Sequence, residues 1–392
     1  MRNEYPYAQP QAPGPLQSGR LGEGIRTRII GGVNGLRMHV LESGANEPGR
    51  ACVLLLHGFP EIAFSWRRIL PALAAAGYYA VAPDLRGYGR TGPAHAEYSE
   101  DLRPYFTLNL VRDIMALLDR LGRRRAVLVG HDFGTTVAGW AALARPDRFP
   151  GLVHMSGPFP GSPDRVDEPS NPVGAITPDL ARLDPPRLHY QYYYRRRRAN
   201  AEMLGCPQGL HAFLRGYYHF KSGDHPQNKP FRLAGWTAGE VAKMPRYYVM
   251  DKGRTMAETV AAEMPNPAQI ASCRWLPDED LAVYAAEYAR SGFQGGLNGY
   301  RCGASPAAAR ELQLFAEVRL QVPCLFVAGA ADWGVYQRPG ALERLKSRIC
   351  TDLRGVTLIP GAGHWVQQEA AEEVNGELLD FLTDIDWLRR DG

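Results

Sequence analysis

No stretch of the chain reaches the roughly 20 uninterrupted apolar residues that a membrane-spanning helix needs. The opening MRNEYPYAQPQAPGPLQSG also lacks the apolar core of a secretion signal. A soluble, cytoplasmic protein without a membrane span is therefore expected. Cysteine is sparse. Its six copies, at 52, 206, 273, 302, 324 and 350, show neither the short paired spacing of a zinc site nor the density of a disulfide scaffold. Isolated thiols are expected, with no metal and no organic cofactor. Excess charge is lacking too: 45 basic against 41 acidic residues leave a net +4, which argues against nucleic acid as a partner and for a small molecule. The arginine runs at 123–125 and 195–198 read as solvated helix ends or faces.

What is present is enough apolar material, 45% of 392 residues, for one full core plus an inserted unit. Residues 1–25 are rich in Pro, Gln and Gly, carry no hydrophobic period, and read as a disordered tail. Two half-exposed strands then flank an Asn-Gly turn. Short apolar runs follow at 52–56, 79–82, 126–129, 152–155, 323–327 and 356–359, as strands buried on both faces require. Between them, 64–75, 107–121, 342–346 and 373–382 repeat at helical spacing, and Thr107 suits an N-cap. This alternation predicts an α/β fold with a mostly parallel, doubly wound sheet, built from 26–156 and 322–392. Residues 157–321 read as a helical insertion with no buried strand, broken at Pro185-Pro186 and Gly295-Gly296.

The sharpest local signal is Gly130-His131-Asp132-Phe133-Gly134, between a strand run and a helix. Glycines two before and two after a central residue let a strand turn tightly into a helix and hold the central side chain over the sheet edge. By spacing alone the favoured reading is an ordinary strand-to-helix turn with Asp132 as the helix N-cap. Downstream, Asp332 and His364 each follow a strand run, in the chain order nucleophile, acid, base. A carboxylate nucleophile leaves an ester that a second step must hydrolyse, with a base, an orienting acid and an oxyanion site. The amides of Phe59, in His57-Gly58-Phe59-Pro60, and of Phe133 are the candidate oxyanion donors.

These residues, with Glu61, Trp66 and Asp84-Leu85-Arg86-Gly87-Tyr88-Gly89, resemble the α/β-hydrolase-fold epoxide hydrolases, relatives of the haloalkane and fluoroacetate dehalogenases. The resemblance implies a helical cap domain and two cap tyrosines that hydrogen-bond the epoxide oxygen. Arg187-Leu188-His189-Tyr190-Gln191 is similar to the first tyrosine motif and the segment ending Asn298-Gly299-Tyr300-Arg301 to the second, which assigns Tyr190 and Tyr300; Tyr192, Tyr193 and Tyr194 are neighbouring alternatives for the first. Gly299 replaces an aromatic residue usual before the second tyrosine. Phe133 stands where many relatives carry Trp, and cannot donate the indole N–H that holds a halide. The implied activity is conversion of a small apolar epoxide to a vicinal diol, in a pocket including Trp66, Phe293 and Trp365, by a monomer or homodimer. A dehalogenase of haloalkanes or haloacids using the same Asp132 is the alternative, and a non-catalytic small-molecule-binding protein of the same fold the other.

Overall fold

The computed structural model describes residues 14–16, 19–45, 49–92, 96–166 and 171–385. Its centre is an eight-stranded sheet, ordered β1-β2-β4-β3-β5-β6-β9-β10. The first hairpin pairs β1 (Arg26–Val33) with β2 (Leu36–Ser43) through Asn34-Gly35, whose positive φ angles of 47° and 80° suit a tight right-twisted turn. β2 also pairs antiparallel with β4 (Tyr79–Pro83), so it is almost wholly buried rather than half-exposed. β4, β3 (Cys52–Leu56), β5 (Ala126–His131), β6 (Leu152–Met155), β9 (Leu320–Gly329) and β10 (Cys350–Ile359) run parallel. The apolar runs thus mark the strands, except that β10 lies at the sheet edge and is only half-buried.

Helix boundaries moved where local chemistry overrides periodicity. The expected 64–75 helix is two pieces, a 3-10 turn Ala63–Trp66 and α1 (Leu70–Ala75). Pro71 lies in the first turn of α1, where its missing N–H is tolerated, and could not sit inside one continuous helix. α2 (Thr107–Arg120) is capped at Phe106, not Thr107, and no side chain supplies the cap bond. Phe106 is instead anchored by burial against Tyr105 and Cys302. The 342–346 segment is a short helix, Ala341–Arg344, that widens over Leu345–Ile349, and the last helix covers Ala371–Asp384. α3 (Phe133–Ala144) follows β5 directly.

At the N-terminus, Leu16 is buried in the core and its N–H faces His39 Nε2 at 3.4 Å, while Gly14 and Pro15 are exposed. Residues 1–13 of the expected tail lie outside the described residues.

Between β6 and β9 lies a mainly helical unit, including helices Tyr190–Tyr194, Leu210–Lys221, Asp278–Ser291 and Gln294–Cys302. It also holds two three-residue strands the sequence pattern was too short to reveal, β7 (Arg187–His189) and β8 (Val249–Asp251), paired antiparallel. Buried polar contacts seat this cap on the sheet: Arg67 donates to Asp280 at 2.8 Å, Ser65 meets the Tyr284 hydroxyl at 2.7 Å, and Tyr218 donates to the Pro60 carbonyl at 3.0 Å. Gly295-Gly296, expected to break a helix, lies inside Gln294–Cys302. A methyl on Gly295 would overlap the Gly87 carbonyl, so the pair exists for close backbone contact with the Arg86-Gly87-Tyr88-Gly89 loop.

Gly295→Ala is therefore expected to lower stability by about 1–3 kcal/mol or more, as overpacking against backbone does. Urea unfolding measures it, and a midpoint equal to the parent's would show that the contact tolerates a side chain.

Candidate active site

β5 ends at His131, and Asp132 turns the chain into α3 with φ 51° and ψ −116°, a strained conformation for a residue with a side chain. Its side chain makes no capping bond to α3, which removes the N-cap reading. The turn needs its glycines. A Cβ on Gly134 would overlap the Leu56 carbonyl, and one on Gly58 would overlap Asp132 itself. That close approach lets the Phe59 N–H donate to Asp132 Oδ1 at 3.0 Å.

The other oxygen, Oδ2, faces His364 Nε2 at 3.5 Å. His364 Nδ1 lies 3.1 Å from Asp332 Oδ1, and both residues are 1% exposed. Asp332 follows β9 and His364 follows β10, so parallel strand ends bring 132, 332 and 364 together. Asp332 also accepts the Gly334 N–H at 2.6 Å and the Ser156 hydroxyl at 2.5 Å, and the Ser156 oxygen lies 2.9 Å from His364 Nδ1. With Nδ1 turned toward the acid, Nε2 is left as the base facing Asp132.

Charge in the site is held by networks of side chains and amides. Burial opposes ionisation of Asp132, but His364, Lys221 and His131 together hold its carboxyl well below the usual range. Burial likewise opposes Asp332, and His364, Ser156 and the Gly334 amide bring its pKa down. His131 Nδ1 meets Glu61 at 2.5 Å and its Nε2 meets the His364 carbonyl at 2.7 Å. Burial would lower the His131 pKa; the Glu61 carboxylate overrides this and pushes it up to about 9. Glu61 further accepts from Gly58 N–H, Gln367 and Gln368, tying the oxyanion loop to the base loop. Glu369 accepts from the amides of Gly223, Gly363 and Trp365 and so holds both flanks of His364. Lys221, buried, lies 5.2–5.8 Å from the ring centroids of Tyr217, Tyr247, Tyr248 and Trp365. Burial lowers its pKa against the pull of Asp132, Asp332 and Glu61.

A cavity of about 130 Å³ is lined by Asp132, Phe133, Tyr190, Tyr300, Gln337 and Arg338 among others. It shares Phe133, Tyr300, Gln191 and Arg338 with an adjoining cavity of about 510 Å³ that extends to Tyr105, Trp140 and Arg195. The Tyr190 amide donates to the Tyr248 carbonyl at 2.8 Å, so the short β7–β8 pair aims this tyrosine. Its hydroxyl accepts from Gln191 at 3.1 Å and donates to Gln337 at 3.3 Å. The rings of Tyr190 and Tyr300 are 6.0 Å apart. Of the neighbouring tyrosines, Tyr192 is exposed, Tyr193 is buried away from both cavities, and Tyr194 donates to Tyr217. Burial first, and the Asp132 charge second, push both Tyr190 and Tyr300 hydroxyls up, so they stay neutral.

Several expectations need correction. Trp66, Phe293 and Trp365 line neither cavity: Trp66 packs under the sheet with α1, Phe293 stacks on Tyr288, and Trp365 donates its indole N–H to the Tyr218 carbonyl. Arg195 is not simply solvated, since it donates to the Tyr300 carbonyl at 3.0 Å. Gly299 is matched to Phe133: a Cβ there would sit 3.0 Å from the phenyl ring. Sequence reasoning did not assign roles to Ser156, Lys221, Glu369 or Gln337. Glu61 and His131 stood inside recognised motifs, whereas Ser156 had no local signal beyond following a strand.

The His131 pKa carries a sign. Raised from an ordinary 6.5 to about 9, it makes the His131–Glu61 pair fully stabilising below 6.5, with that contribution lost as pH rises through 9. The melting temperature of the protein should fall across this window. Glu61→Gln with His131→Gln, which removes both charges, should flatten the profile; parallel profiles would refute the assignment.

A family model for the alpha/beta hydrolase fold matches residues 52–204. Epoxide hydrolase A of Mycobacterium tuberculosis is 34% identical over 370 residues, covering 93% of this chain and 99% of that protein. An epoxide hydrolase of Caballeronia sordidicola is 32% identical over 369 residues, covering 91% and 96%. Among solved structures, an epoxide hydrolase from an endophytic Streptomyces superposes with a TM-score of 0.75 at 31% identity, covering 92% of this chain and 96% of the other. With this similarity along nearly the whole length, the chain belongs to the epoxide hydrolase family.

Proposed function

We propose that the protein hydrolyses a small, mainly apolar epoxide to a vicinal diol through an ester on Asp132. The observation that carries this reading is one cavity lined by Asp132, Tyr190 and Tyr300 together, with burial keeping both phenols neutral. The two Asp132 oxygens have different surroundings, and so different parts. Oδ1 sits on the Phe59 amide and becomes the ester carbonyl oxygen; Oδ2 attacks a ring carbon. As that carbon–oxygen bond breaks, the two tyrosines hydrogen-bond the departing alkoxide and one supplies its proton, Tyr190 exchanging its contact with Gln337 for it.

Water placed between His364 and the ester then attacks the Asp132 carbonyl carbon while Nε2 takes its proton. Asp332, with Ser156 on its second oxygen, steadies the resulting imidazolium. The Phe59 and Phe133 amides hold the oxyanion. Collapse expels the diol alkoxide, which takes the proton held on His364 Nε2, and leaves Asp132 with one water-derived oxygen; the second water proton passes from the Asp132 carboxyl to the tyrosine that gave up its own, which restores both groups. The free thiols suit the cytoplasmic setting expected from the sequence.

With styrene oxide in labelled water, single-turnover diol should carry an unlabelled oxygen from Asp132, and His364→Asn should accumulate the ester, seen as a substrate-sized mass increase on the intact chain. Label in that first diol would exclude the covalent route. Tyr190→Phe with Tyr300→Phe should reduce the rate of ester formation by at least about 100-fold, the usual range of general acid catalysis. Unchanged ester formation would remove the tyrosines from the reaction.

A further inference from the structure

The cysteines are not all isolated. His154 on β6, Cys324 on β9 and Cys350 at the start of β10 offer an imidazole nitrogen and two thiol sulfurs that all lie within 4.8 Å of one another. The three strands are sheet neighbours. Leu152 pairs with Cys324, so His154, two residues on, points to the same face. That face packs with Leu152 and Phe326, while Val153 and Leu325 pack on the other. All three side chains are buried, at 0%, 0% and 3% exposure. Neither ring nitrogen of His154 has a hydrogen-bond partner of ordinary geometry, its polar neighbour being the Cys350 thiol, and the ring is stacked flat on Phe159.

We propose that His154, Cys324 and Cys350 form a structural site for a thiophilic d10 cation, Zn²⁺ or Cu⁺. Two thiolates and a neutral imidazole are a soft donor set of the kind these ions select. Zn²⁺ bound by two thiolates carries no net charge, which suits a buried site. Zinc ligand distances of about 2.3 Å to sulfur and about 2.0 Å to nitrogen place the two sulfurs about 4 Å apart, a small contraction of the group. No fourth His, Cys, Asp or Glu joins it among the described residues. A three-coordinate Cu⁺ needs none, whereas Zn²⁺ would take a water or backbone oxygen as its fourth ligand. Binding Zn²⁺ displaces two thiol protons. The site lies behind the reaction machinery: β6, β9 and β10 run on directly to Ser156, Asp332 and His364. A cation here would lock together the strands that align the acid and the base, and this role does not depend on which epoxide is hydrolysed.

The test expresses the full chain in medium supplemented with Zn²⁺, Cu²⁺ reduced in the cell, or Co²⁺ as a coloured stand-in for zinc, and purifies it without a histidine tag. Elemental analysis should find close to one Zn or Cu per chain. The Co²⁺ protein should show thiolate-to-metal charge-transfer absorption, and the metal-loaded form should melt a few degrees above the metal-free form. Cys324→Ala with Cys350→Ala should lose both metal and absorption. Zn without Cu, or the reverse, identifies the ion. The readout on the unmutated protein stands even if the variant fails to fold. Absence of bound metal in all three media, metal retained by the double variant, or a Cys324–Cys350 disulfide in the freshly purified protein would each overturn the proposal.

Discussion

An ionised carboxylate in a buried cleft is stable only when fixed donors and cations take over the work of water. Around Asp132 that work is divided among the Phe59 amide, the His364 ring, and the buried charges of Lys221 and the His131–Glu61 pair. Much of the surrounding architecture serves this division. Glu61 binds the oxyanion loop, His131 and the glutamines of the base loop, so elements far apart in sequence are tied through one carboxylate. Glu369 performs the same service for the backbone flanking His364.

The same surroundings act in opposite senses on the two kinds of acid facing the cavity. Nearby positive groups keep Asp132 ionised, while burial and the Asp132 charge itself keep Tyr190 and Tyr300 protonated. A carboxylate and two phenols lining one cavity thereby hold complementary protonation states at one pH. The arrangement needs the cap seated closely, and the Gly87–Gly295 contact, the Arg67–Asp280 pair and the short β7–β8 ladder provide the seating.

The strands, the elbow and the two catalytic loops were legible because each has a local cause. Apolar runs mark buried strands, and the glycines around Asp132 mark a turn that no larger residue permits. The cap tyrosines were legible only through motif resemblance, since a run of four tyrosines offers no periodic reason to prefer Tyr190. Their surroundings differ: Tyr190 lines the cavity with Asp132, Tyr192 is exposed, and Tyr194 donates to Tyr217. The pocket residues were misjudged because a large aromatic residue reads the same in sequence whether it fills a core, as Trp66 and Trp365 do, or lines a cavity.

The sequence by itself determined the parallel sheet, the position of the nucleophile, and the acid and base that follow in chain order, because each is written in a few adjacent residues. Tertiary structure alone decided that Asp132 is a charged group facing a cavity rather than a helix cap. It alone placed Ser156 on Asp332, Lys221 near both carboxylates, and His154 beside two cysteines distant in sequence. Those relations depend on the register of neighbouring strands and the seating of the cap, which arise from packing over the whole core rather than from any local pattern.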